Sequence, residues 1–286
     1  MLQEPDDLGE LTHDAIAGDF RIAQRRHGHR YSIDDVMTAW EAVRAVEACA
    51  LRHAQAKDRQ HESARATLSV PAPRCLELGS GIGSVLLMLA FKLPRAHFVA
   101  VEAQRNSFRL LRDNVHHNGL DARVTLVHGD LRDEVTSLLG QFELVTGTPP
   151  YVPPGTATPS SDSQKAYCRQ ELRGGVEDYL AAIGRVLSPA GVGVVCADAR
   201  YPERVFSAAE RAGLQVTRQR DVVPRAGKKG ALFAVFTVVR AGAEQACFVR
   251  EPAWVARDEA GSRSADYLAV RSFFGIEPRA DEPPSP

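Results

Sequence analysis

The segment CLELGSGIGSVLLMLA, residues 75–90, places three closely spaced glycines between a short apolar run and a longer one. The first run has the length of a buried strand, and the second suits a helix. Gly79, Gly81 and Gly83 form a glycine turn that lets the backbone bend tightly and approach a ligand. The dinucleotide fingerprint needs a glycine where this chain has Ser84, and no phosphate-loop motif occurs in the sequence. The segment therefore predicts a ligand-binding strand-turn-helix unit and argues against a nicotinamide or nucleoside triphosphate site.

Strand-like and helix-like segments alternate after this unit. HFVAVEA, VTLVHGD, FELVTGTPPY and GVGVVCAD have the composition of strands, and the segments between them carry helical apolar periodicity. This alternation predicts an α/β fold with a doubly wound, mostly parallel sheet. LQVTRQRDVV and ALFAVFTVV, joined by the basic turn PRAGKKG, are expected to add a C-terminal antiparallel hairpin. We therefore expect seven strands in a Rossmann-like sheet.

Composition along the chain predicts its division into parts. The polar stretch at residues 52–73 closes with two prolines and is interpreted as a solvated connector before the main domain. The C-terminal end is charged and rich in proline, which predicts disorder. We expect an N-terminal extension over residues 1–73, a main domain over residues 74–240, an appendage packed on it through a short helix over residues 241–276, and a disordered tail over residues 277–286.

The composition is that of an ordinary globular protein, with 44% hydrophobic and 25% charged residues among 286. Because 35 Lys and Arg oppose 36 Asp and Glu, the formal net charge of -1 provides no bulk attraction to nucleic acid or anionic lipid. The longest apolar run, Val85 to Phe91, is far shorter than the roughly 20 residues of a membrane span, and the acidic N-terminus is unlike a signal peptide. The five cysteines lack metal-ligand spacing. We therefore expect a cytoplasmic protein without a membrane segment, a disulfide framework or a metal site.

Three acidic residues fall at the ends of successive predicted strands. Glu77 precedes the glycine turn, Glu102 ends the second strand 19 residues after Gly83, and Asp130 ends the third. In a doubly wound sheet ligands lie beyond the carboxyl ends of the strands, so these side chains are expected to converge on one crevice. A carboxylate at the position of Glu102 can accept hydrogen bonds from both hydroxyls of a ribose.

The fourth strand ends in TPPY, residues 148–151. The chain thus contains, in this order, an E-x-G-x-G-x-G turn, an acidic residue, an Asp and a tetrapeptide of the [NDS]-P-P-[YF] type. This set of motifs resembles the class I S-adenosylmethionine-dependent methyltransferases. Within that family the set is similar to the branch that methylates planar exocyclic or amide nitrogens. QRRHGHRYSIDD at residues 24–35 and CRQELRGGV at residues 168–176 resemble the bacterial tRNA(Val) adenine-N6-methyltransferase group. The resemblance covers roughly residues 20–240.

The resemblance implies that S-adenosylmethionine is the cofactor and that no metal is needed. It places Glu102 at the cofactor ribose and Asp130 at the adenine amino group, with the glycine turn at the methionine end. A lid-like segment would cover the cofactor. The implied cofactor-binding residues are Glu77, Gly79, Gly81, Gly83, Glu102, Asp130, Tyr31 and Asp34. The implied catalytic residues are Thr148, Pro149, Pro150 and Tyr151.

Thr148 stands where the family usually has asparagine. In the usual form the asparagine oxygen and the next main-chain carbonyl each accept one hydrogen of the substrate amino group, which helps a poorly basic nitrogen to react. The Thr148 hydroxyl can accept such a hydrogen bond only if it donates its own proton elsewhere. The Pro149 carbonyl is unaffected, and Tyr151 can stack on a flat substrate. We interpret TPPY as a serine-like variant of the motif that retains catalysis.

Two basic clusters are candidates to contact the phosphates of a nucleic acid. The first lies within residues 21–30, and the second surrounds the turn PRAGKKG. The substrate-binding candidates selected from them are Arg25, Arg26, Arg30, Lys228 and Lys229. The other members are Arg21, His27, His29, Arg218, Arg220 and Arg225. Neither cluster is interleaved with aromatic residues, so stacking on several bases is not predicted.

These motifs lead to the hypothesis of a methyltransferase acting on a planar nitrogen, with adenine N6 in tRNA as the leading substrate. A protein glutamine or a small molecule is the first alternative, because an amide presents the same flat NH2 group and the near-neutral charge suits it. The second alternative is a non-catalytic RNA- or partner-binding module that keeps the cofactor cleft, with Thr148 marking lost chemistry.

Overall fold

The N-terminal part of the chain forms a β-hairpin followed by a long helix. The computed structural model describes residues 7–60, 72–138, 142–153, 155–156, 158, 160–243 and 247–277. Strands β1 (Leu11–Ala17) and β2 (Phe20–Arg25) pair antiparallel, and helix α1 spans Ile33–Gln60. The predicted connector is therefore helical over residues 52–60, where Arg, Ala, Gln and Lys favour a helix and no glycine or proline interrupts it. Residues 61–71 of that connector lie outside the described part.

The remaining strands assemble into one mostly parallel sheet. Its long strands are β3 (Arg74–Leu78), β4 (His97–Glu102), β5 (Val124–His128), β6 (Phe142–Gly147), β7 (Leu187–Ala197), β8 (Leu214–Val223) and β9 (Phe233–Arg240). Their spatial order is β5-β4-β3-β6-β7-β9-β8, and β9 runs antiparallel to both of its neighbours. Two very short strands, β10 (Val249–Arg250) and β11 (Trp254–Val255), pair with β8. The predicted doubly wound sheet with a C-terminal antiparallel hairpin is confirmed, and β10 and β11 extend it.

Helices cover both faces of the sheet. They are α1, α2 (Ser84–Lys92), α3 (Arg105–His117), α4 (Leu131–Glu134), α5 (Ser163–Arg169), α6 (Val176–Val186), α7 (Pro202–Arg211) and α8 (Ala265–Phe273). Met37 of α1 belongs to one buried cluster and Ile183 of α6 to a second. Adjacent residues of β7 alternate between the two, with Val194 in the first cluster and Val195 in the second. The sheet is thus buried on both faces, as a parallel sheet requires.

The two ends of the chain pack against the helices that follow the glycine turn. Asn114 in α3 accepts a hydrogen bond from the Ala23 amide at 2.7 Å and donates one to the Ile82 carbonyl at 2.9 Å. These bonds tie β2 to the glycine turn. Gly18, between β1 and β2, donates its amide to the Phe274 carbonyl at 2.7 Å. The β1–β2 hairpin therefore contacts both α3 and the C-terminal segment.

The predicted short helix of the C-terminal appendage is α8, and the buried Phe274 anchors the residues that follow it. The predicted domain boundaries at residues 73, 240 and 276 remain predictions. Residues 278–286 of the predicted tail lie outside the described part of the chain.

Candidate active site

A cleft opens at the carboxyl ends of the parallel strands, where doubly wound sheets bind ligands. The sequence-predicted site residues that line it are Tyr31, Asp34, Gly79, Gly81, Glu102, Asp130, Thr148, Pro149 and Pro150. Glu77, Gly83 and Tyr151 are also described by the structure but are not part of this lining. The fold therefore brings together residues that are up to 119 positions apart, from Tyr31 to Pro150.

The glycine turn requires glycine for different reasons at its three positions. Gly79 and Gly81 have φ values of 60° and 57°, a region that side-chain-bearing residues rarely adopt. A Cβ on Gly79 would collide with the Tyr179 hydroxyl, whereas one on Gly81 would meet no atom within 4 Å. Gly83 caps α2, and a Cβ there would come within 2.7 Å of the Leu111 side chain. Gly81 thus leaves open space in the cleft, and Gly83 permits helix packing behind it.

Glu102 is held rigidly at the floor of the cleft. Its Oε2 accepts a hydrogen bond from the Gly81 amide at 2.8 Å, and its Oε1 accepts one from the Gln104 amide at 2.6 Å. The side chain is buried. Each carboxylate oxygen has a second lone pair, so Glu102 can still accept hydrogen bonds from a diol. This geometry suits the predicted ribose contact.

Glu77 does not reach the cleft, so its predicted contact with a cofactor lacks structural support. Its side chain is buried, and the Ser80 hydroxyl donates to the Glu77 main-chain carbonyl at 3.5 Å. Its Oε2 has no hydrogen-bond partner among the described residues. Burial raises the pKa of Glu77 well above its ordinary value, and the nearby carboxylates of Asp35 and Glu102 raise it further. We interpret Glu77 as a structural group beneath the glycine turn.

Asp130 lines the cleft but is already engaged by an arginine. It caps α4 by accepting the Arg132 amide at 3.0 Å, and it accepts the Arg132 guanidinium at 2.8 and 2.7 Å. These side-chain hydrogen bonds lower the pKa of Asp130. An adenine amino group that binds Asp130 would therefore share this carboxylate with Arg132.

The Thr148 hydroxyl lies beside the carboxylate of Asp35, a residue in the first turn of α1, and its proximity lowers the pKa of that carboxyl. Asp35 is 8% exposed and accepts a hydrogen bond from the Ser32 amide at 3.0 Å. The nearby Ser84 side chain also lowers its pKa. Burial, with a smaller contribution from Asp34, raises the pKa of Asp35 to about 7. Asp35 is therefore the candidate acceptor for the Thr148 proton, and donation to it would leave hydroxyl lone pairs for a substrate.

Sequence reasoning missed Asp35 as a partner of Thr148. Asp34 and Asp35 are consecutive acids at the start of a helix, a common position for acidic residues that interact with the helix dipole. Only the tertiary fold distinguishes them, because it buries Asp35 and leaves Asp34 half-buried.

Tyr151 is not part of the cleft lining, although it contacts a residue that is. Its hydroxyl donates to Asp34 Oδ2 at 3.5 Å, and its ring packs against the buried cluster that includes α1. Burial raises the pKa of Tyr151. The predicted stacking platform is therefore not supported at Tyr151, whereas Tyr31 and Tyr167 do line the cleft.

The first basic cluster is largely committed to intramolecular contacts. Arg25 Nη1 lies 2.9 Å from Asp162 Oδ2, and its side chain is 13% exposed. Arg26 pairs with Glu10 at 2.9 Å on the surface, and Arg30 pairs with Asp14 at 2.9 Å. Burial lowers the pKa of His29, which lines the cleft, so His29 is not a standing positive charge. A phosphate contact is therefore disfavoured for Arg25 and His29.

In the second cluster, Arg220 is not a surface charge. Its side chain is 8% exposed and is paired with Glu41 of α1 and with Glu251 at 3.2 Å. The prediction that Arg220 tracks phosphates is therefore wrong, because this guanidinium links β8 to α1. Lys228 and Lys229, in the turn between β8 and β9, are exposed and remain candidates for substrate contact.

None of the described helices has the length and apolar composition needed to span a bilayer. Within the described ranges, no three His, Cys, Asp or Glu side chains are grouped so that they could hold a metal ion.

The matches to known proteins described here are to methyltransferases. Residues 64–161 match the family model of the methyltransferase small domain. A tRNA1(Val) (adenine(37)-N6)-methyltransferase of Bacteroides thetaiotaomicron is 28% identical over 157 residues, which cover 54% of this chain and 65% of the relative. A release factor glutamine methyltransferase of Deinococcus radiodurans is 29% identical over 162 residues, covering 54% of this chain and 56% of the relative. The matched segment thus spans between about half and two thirds of these relatives.

A crystal structure of a predicted O-methyltransferase from Agrobacterium tumefaciens superposes with a TM-score of 0.55 at 15% identity, covering 74% of this chain and 94% of that chain. At this identity the likeness concerns the fold. The family model and the shared fold together confirm the resemblance that the motifs indicate, and the doubly wound domain of this chain has the class I methyltransferase fold.

Proposed function

We propose that this protein transfers a methyl group from S-adenosylmethionine to a planar exocyclic nitrogen, with adenine N6 in tRNA as the acceptor. The observation that carries the proposal is the placement of the fixed Glu102 carboxylate and the Thr148–Asp35 pair in one cleft beside the glycine turn. The match to a tRNA adenine-N6-methyltransferase supports the choice of substrate.

The residues at the glycine turn fit this cofactor. Open space at the position of a Gly81 Cβ leaves room for a ligand against the backbone. The buried Glu102 carboxylate, already oriented by two amides, offers the acceptors that a ribose diol needs. When bound, S-adenosylmethionine supplies a methyl group activated by its sulfonium. Because the methyl group is already activated, the protein has mainly to orient the acceptor and exclude water.

Thr148 and Asp35 would act on the acceptor nitrogen. With its own proton donated to Asp35, the Thr148 oxygen can accept one hydrogen of the substrate amino group, and the Pro149 carbonyl can accept the other. The Asp35 carboxylate also favours the positive charge that develops on the nitrogen as the new bond to carbon forms. Transfer yields S-adenosylhomocysteine and the methylated amine, and one amino proton leaves to water. Asp35 has to be ionised for both effects.

A protein glutamine is the second candidate acceptor, supported by the match to a release factor glutamine methyltransferase at nearly the same identity. An amide NH2 group presents the same two hydrogens in one plane. The acceptors in the cleft therefore suit either substrate, and the contacts outside the cleft have to discriminate between them.

Methyl transfer from labelled S-adenosylmethionine into three pools tests the proposal. The pools are unmodified tRNA, total cell protein and a small-molecule extract. We expect label in tRNA that digestion identifies as N6-methyladenosine. A Glu102→Ala variant should lose this activity, while the Lys229→Gln variant, altered at an exposed turn, should still bind the cofactor with wild-type affinity. Label in protein only would replace tRNA by the glutamine alternative, and cofactor binding without transfer to any pool would favour the non-catalytic module.

A further inference from the structure

A second cavity of about 500 Å³ lies next to the cleft, between the β1–β2 hairpin, the start of α1 and the C-terminal appendage. Four arginines line it: Arg30, Arg257, Arg263 and Arg271. We infer that this arginine cavity binds a nucleotide of the nucleic acid that carries the methyl acceptor, through its phosphate and one face of its base. The inference rests on the proposed function for the identity of the nucleic acid, but the site itself can be tested without methyl transfer.

The charge of the cavity wall favours an anion. Among the described residues that line it, Asp14 is the one acid, and Asp14 is paired with Arg30 at 2.9 Å. The other three guanidinium groups all come from the appendage. Arg257 donates to the Gly261 carbonyl at 2.9 Å. Guanidinium groups bind phosphate oxygens in a bidentate manner and are the preferred side chains for that purpose.

The rest of the cavity wall suits a flat, partly apolar ligand. The Arg263 guanidinium lies 5.2 Å from the centre of the Tyr267 ring, and the rings of Tyr267 and Trp254 lie 6.1 Å apart. Buried apolar side chains, including Val270 and Phe274, complete the wall. Aromatic and arginine planes are the surfaces on which unpaired bases stack. A phosphate alone would not need this apolar part of the cavity.

Trp254 provides an independent indication that a ligand is missing. Its side chain lines the cavity and is only 3% exposed, yet its indole Nε1 has no hydrogen-bond partner among the described residues. A buried donor without an acceptor pays the cost of losing water without recovering it in a hydrogen bond. Acceptor atoms on a base or phosphate in the cavity would satisfy this N–H.

The position of the cavity relates it to the transfer site. Tyr31 lines both the arginine cavity and the cleft that contains Thr148, so one side chain separates the two spaces. Its hydroxyl donates to the Ala15 carbonyl at 3.1 Å, which fixes the ring between them. A nucleotide bound by the appendage would therefore lie near the nucleotide whose base enters the cleft. This arrangement gives the appendage a role in substrate recognition.

Nuclear magnetic resonance of the two tryptophan indole N–H groups tests the inference. Adenosine 5′-monophosphate is titrated into the full chain saturated with S-adenosylhomocysteine, which occupies the cofactor site. We expect a saturable shift of the Trp254 signal, assigned by its loss in Trp254→Phe, while the Trp40 signal, from outside the cavity lining, stays in place. Adenosine without the phosphate should need at least tenfold higher concentration. Arg263→Gln should weaken the nucleotide at least tenfold, and Arg185→Gln, at an exposed position of α6 that lines neither cavity, should not.

Three results would overturn the inference: no shift of the Trp254 signal, an equal response to adenosine and its monophosphate, or unchanged nucleotide affinity in Arg263→Gln. An unshifted Trp40 signal in that variant shows that the fold is intact. In the methyl-transfer assay, the same variant should raise the KM for tRNA about tenfold with kcat and the KM for S-adenosylmethionine unchanged. Since the titration needs no methyl transfer, a positive titration with no labelled product refutes the proposed function and leaves the nucleotide site standing.

Discussion

Replacing Asp35 with asparagine separates the charge of this residue from its ability to accept the Thr148 proton. The asparagine oxygen can still accept the hydroxyl hydrogen, but the variant has no group that titrates near neutral pH at this position. In the wild type, a pKa of about 7 means that Asp35 is about 90% ionised at pH 8 and about 10% ionised at pH 6. The protonated form would donate to Thr148, occupying one of its lone pairs and turning the Thr148 hydrogen toward the substrate amino group. We therefore expect kcat/KM of the wild type to fall about tenfold between pH 8 and pH 6.

The Asp35→Asn variant should lack this fall in kcat/KM at low pH, the acid limb of the profile. It should also be slower than the wild type at pH 8. Exchanging a charged acceptor for a neutral one weakens a hydrogen bond by about 1 kcal/mol, which corresponds to about fivefold in kcat. The assay is methyl transfer to unmodified tRNA at saturating S-adenosylmethionine, measured between pH 5.5 and pH 9. A variant that retains the wild-type acid limb would refute the role given to Asp35, as would a wild-type profile that is flat between pH 6 and pH 8.

The same substitution should raise stability, which separates it from a folding defect. Burial places the folded-state pKa of Asp35 at about 7, above its ordinary value of 3.8. The folded protein therefore binds more protons than the unfolded chain between these values, and it loses stability as the pH rises through this window. The shift corresponds to about 4 kcal/mol at most. At pH 8 the asparagine variant should unfold at higher urea concentration than the wild type, and near pH 4 the difference should vanish.

Three further substitutions test separate parts of the site and the fold. Thr148→Asn restores the usual residue of the motif, so we expect methyl transfer at least equal to that of the wild type and no acid limb. Loss of activity would show that the acceptor pair of residue 148 and the Pro149 carbonyl has diverged too far to be restored. Gly79→Ala should abolish cofactor binding measured by calorimetry. Adding Tyr179→Phe should recover part of the binding, because the Tyr179 hydroxyl is the atom that a Cβ at position 79 would meet first. If no binding is recovered, the defect lies in backbone strain alone. Glu41→Ala leaves the buried Arg220 without its α1 partner and should cost about 3–5 kcal/mol in urea denaturation. A loss below 1 kcal/mol would mean that the remaining pair with Glu251 of the appendage suffices.

Features that depend on local pattern were predictable from the sequence. The glycine turn lies between β3 and α2 because a short apolar run, three glycines and a helical apolar run follow one another in the chain. The β8–β9 hairpin followed from two strand-like segments joined by a turn of suitable composition. The convergence of Glu102, Asp130 and Thr148 followed from the general rule that the carboxyl ends of parallel strands meet at one edge.

Features that depend on which way a side chain faces were not predictable. Nothing in the motif distinguishes Glu77, which lies behind the glycine turn, from Glu102, which lies in the cleft. Arg220 belongs to a basic stretch, but it is one of the β8 residues that face α1, and its partner Glu41 is 179 positions away in the sequence. Such pairings are set by packing between distant elements, and a single sequence carries no local signal for them.

The proximity of Thr148 and Asp35 is the clearest case. The chain positions differ by 113 residues, and the two groups meet only because α1 packs against β6 and β7 beside the cleft. Threonine can replace asparagine in this motif only if its hydroxyl proton has an acceptor. The fold places the Asp35 carboxylate where it can be that acceptor.

The formation of N6-methyladenosine in unmodified tRNA, followed by nucleoside digestion and mass detection, tests the central claim most directly. The wild type should produce it up to one methyl group per tRNA at pH 8, and Thr148→Ala, which keeps cofactor binding, should slow it at least tenfold. Methyl groups found on ribose or on a ring carbon, or equal rates for the wild type and Thr148→Ala, would contradict transfer to a planar nitrogen through this acceptor pair.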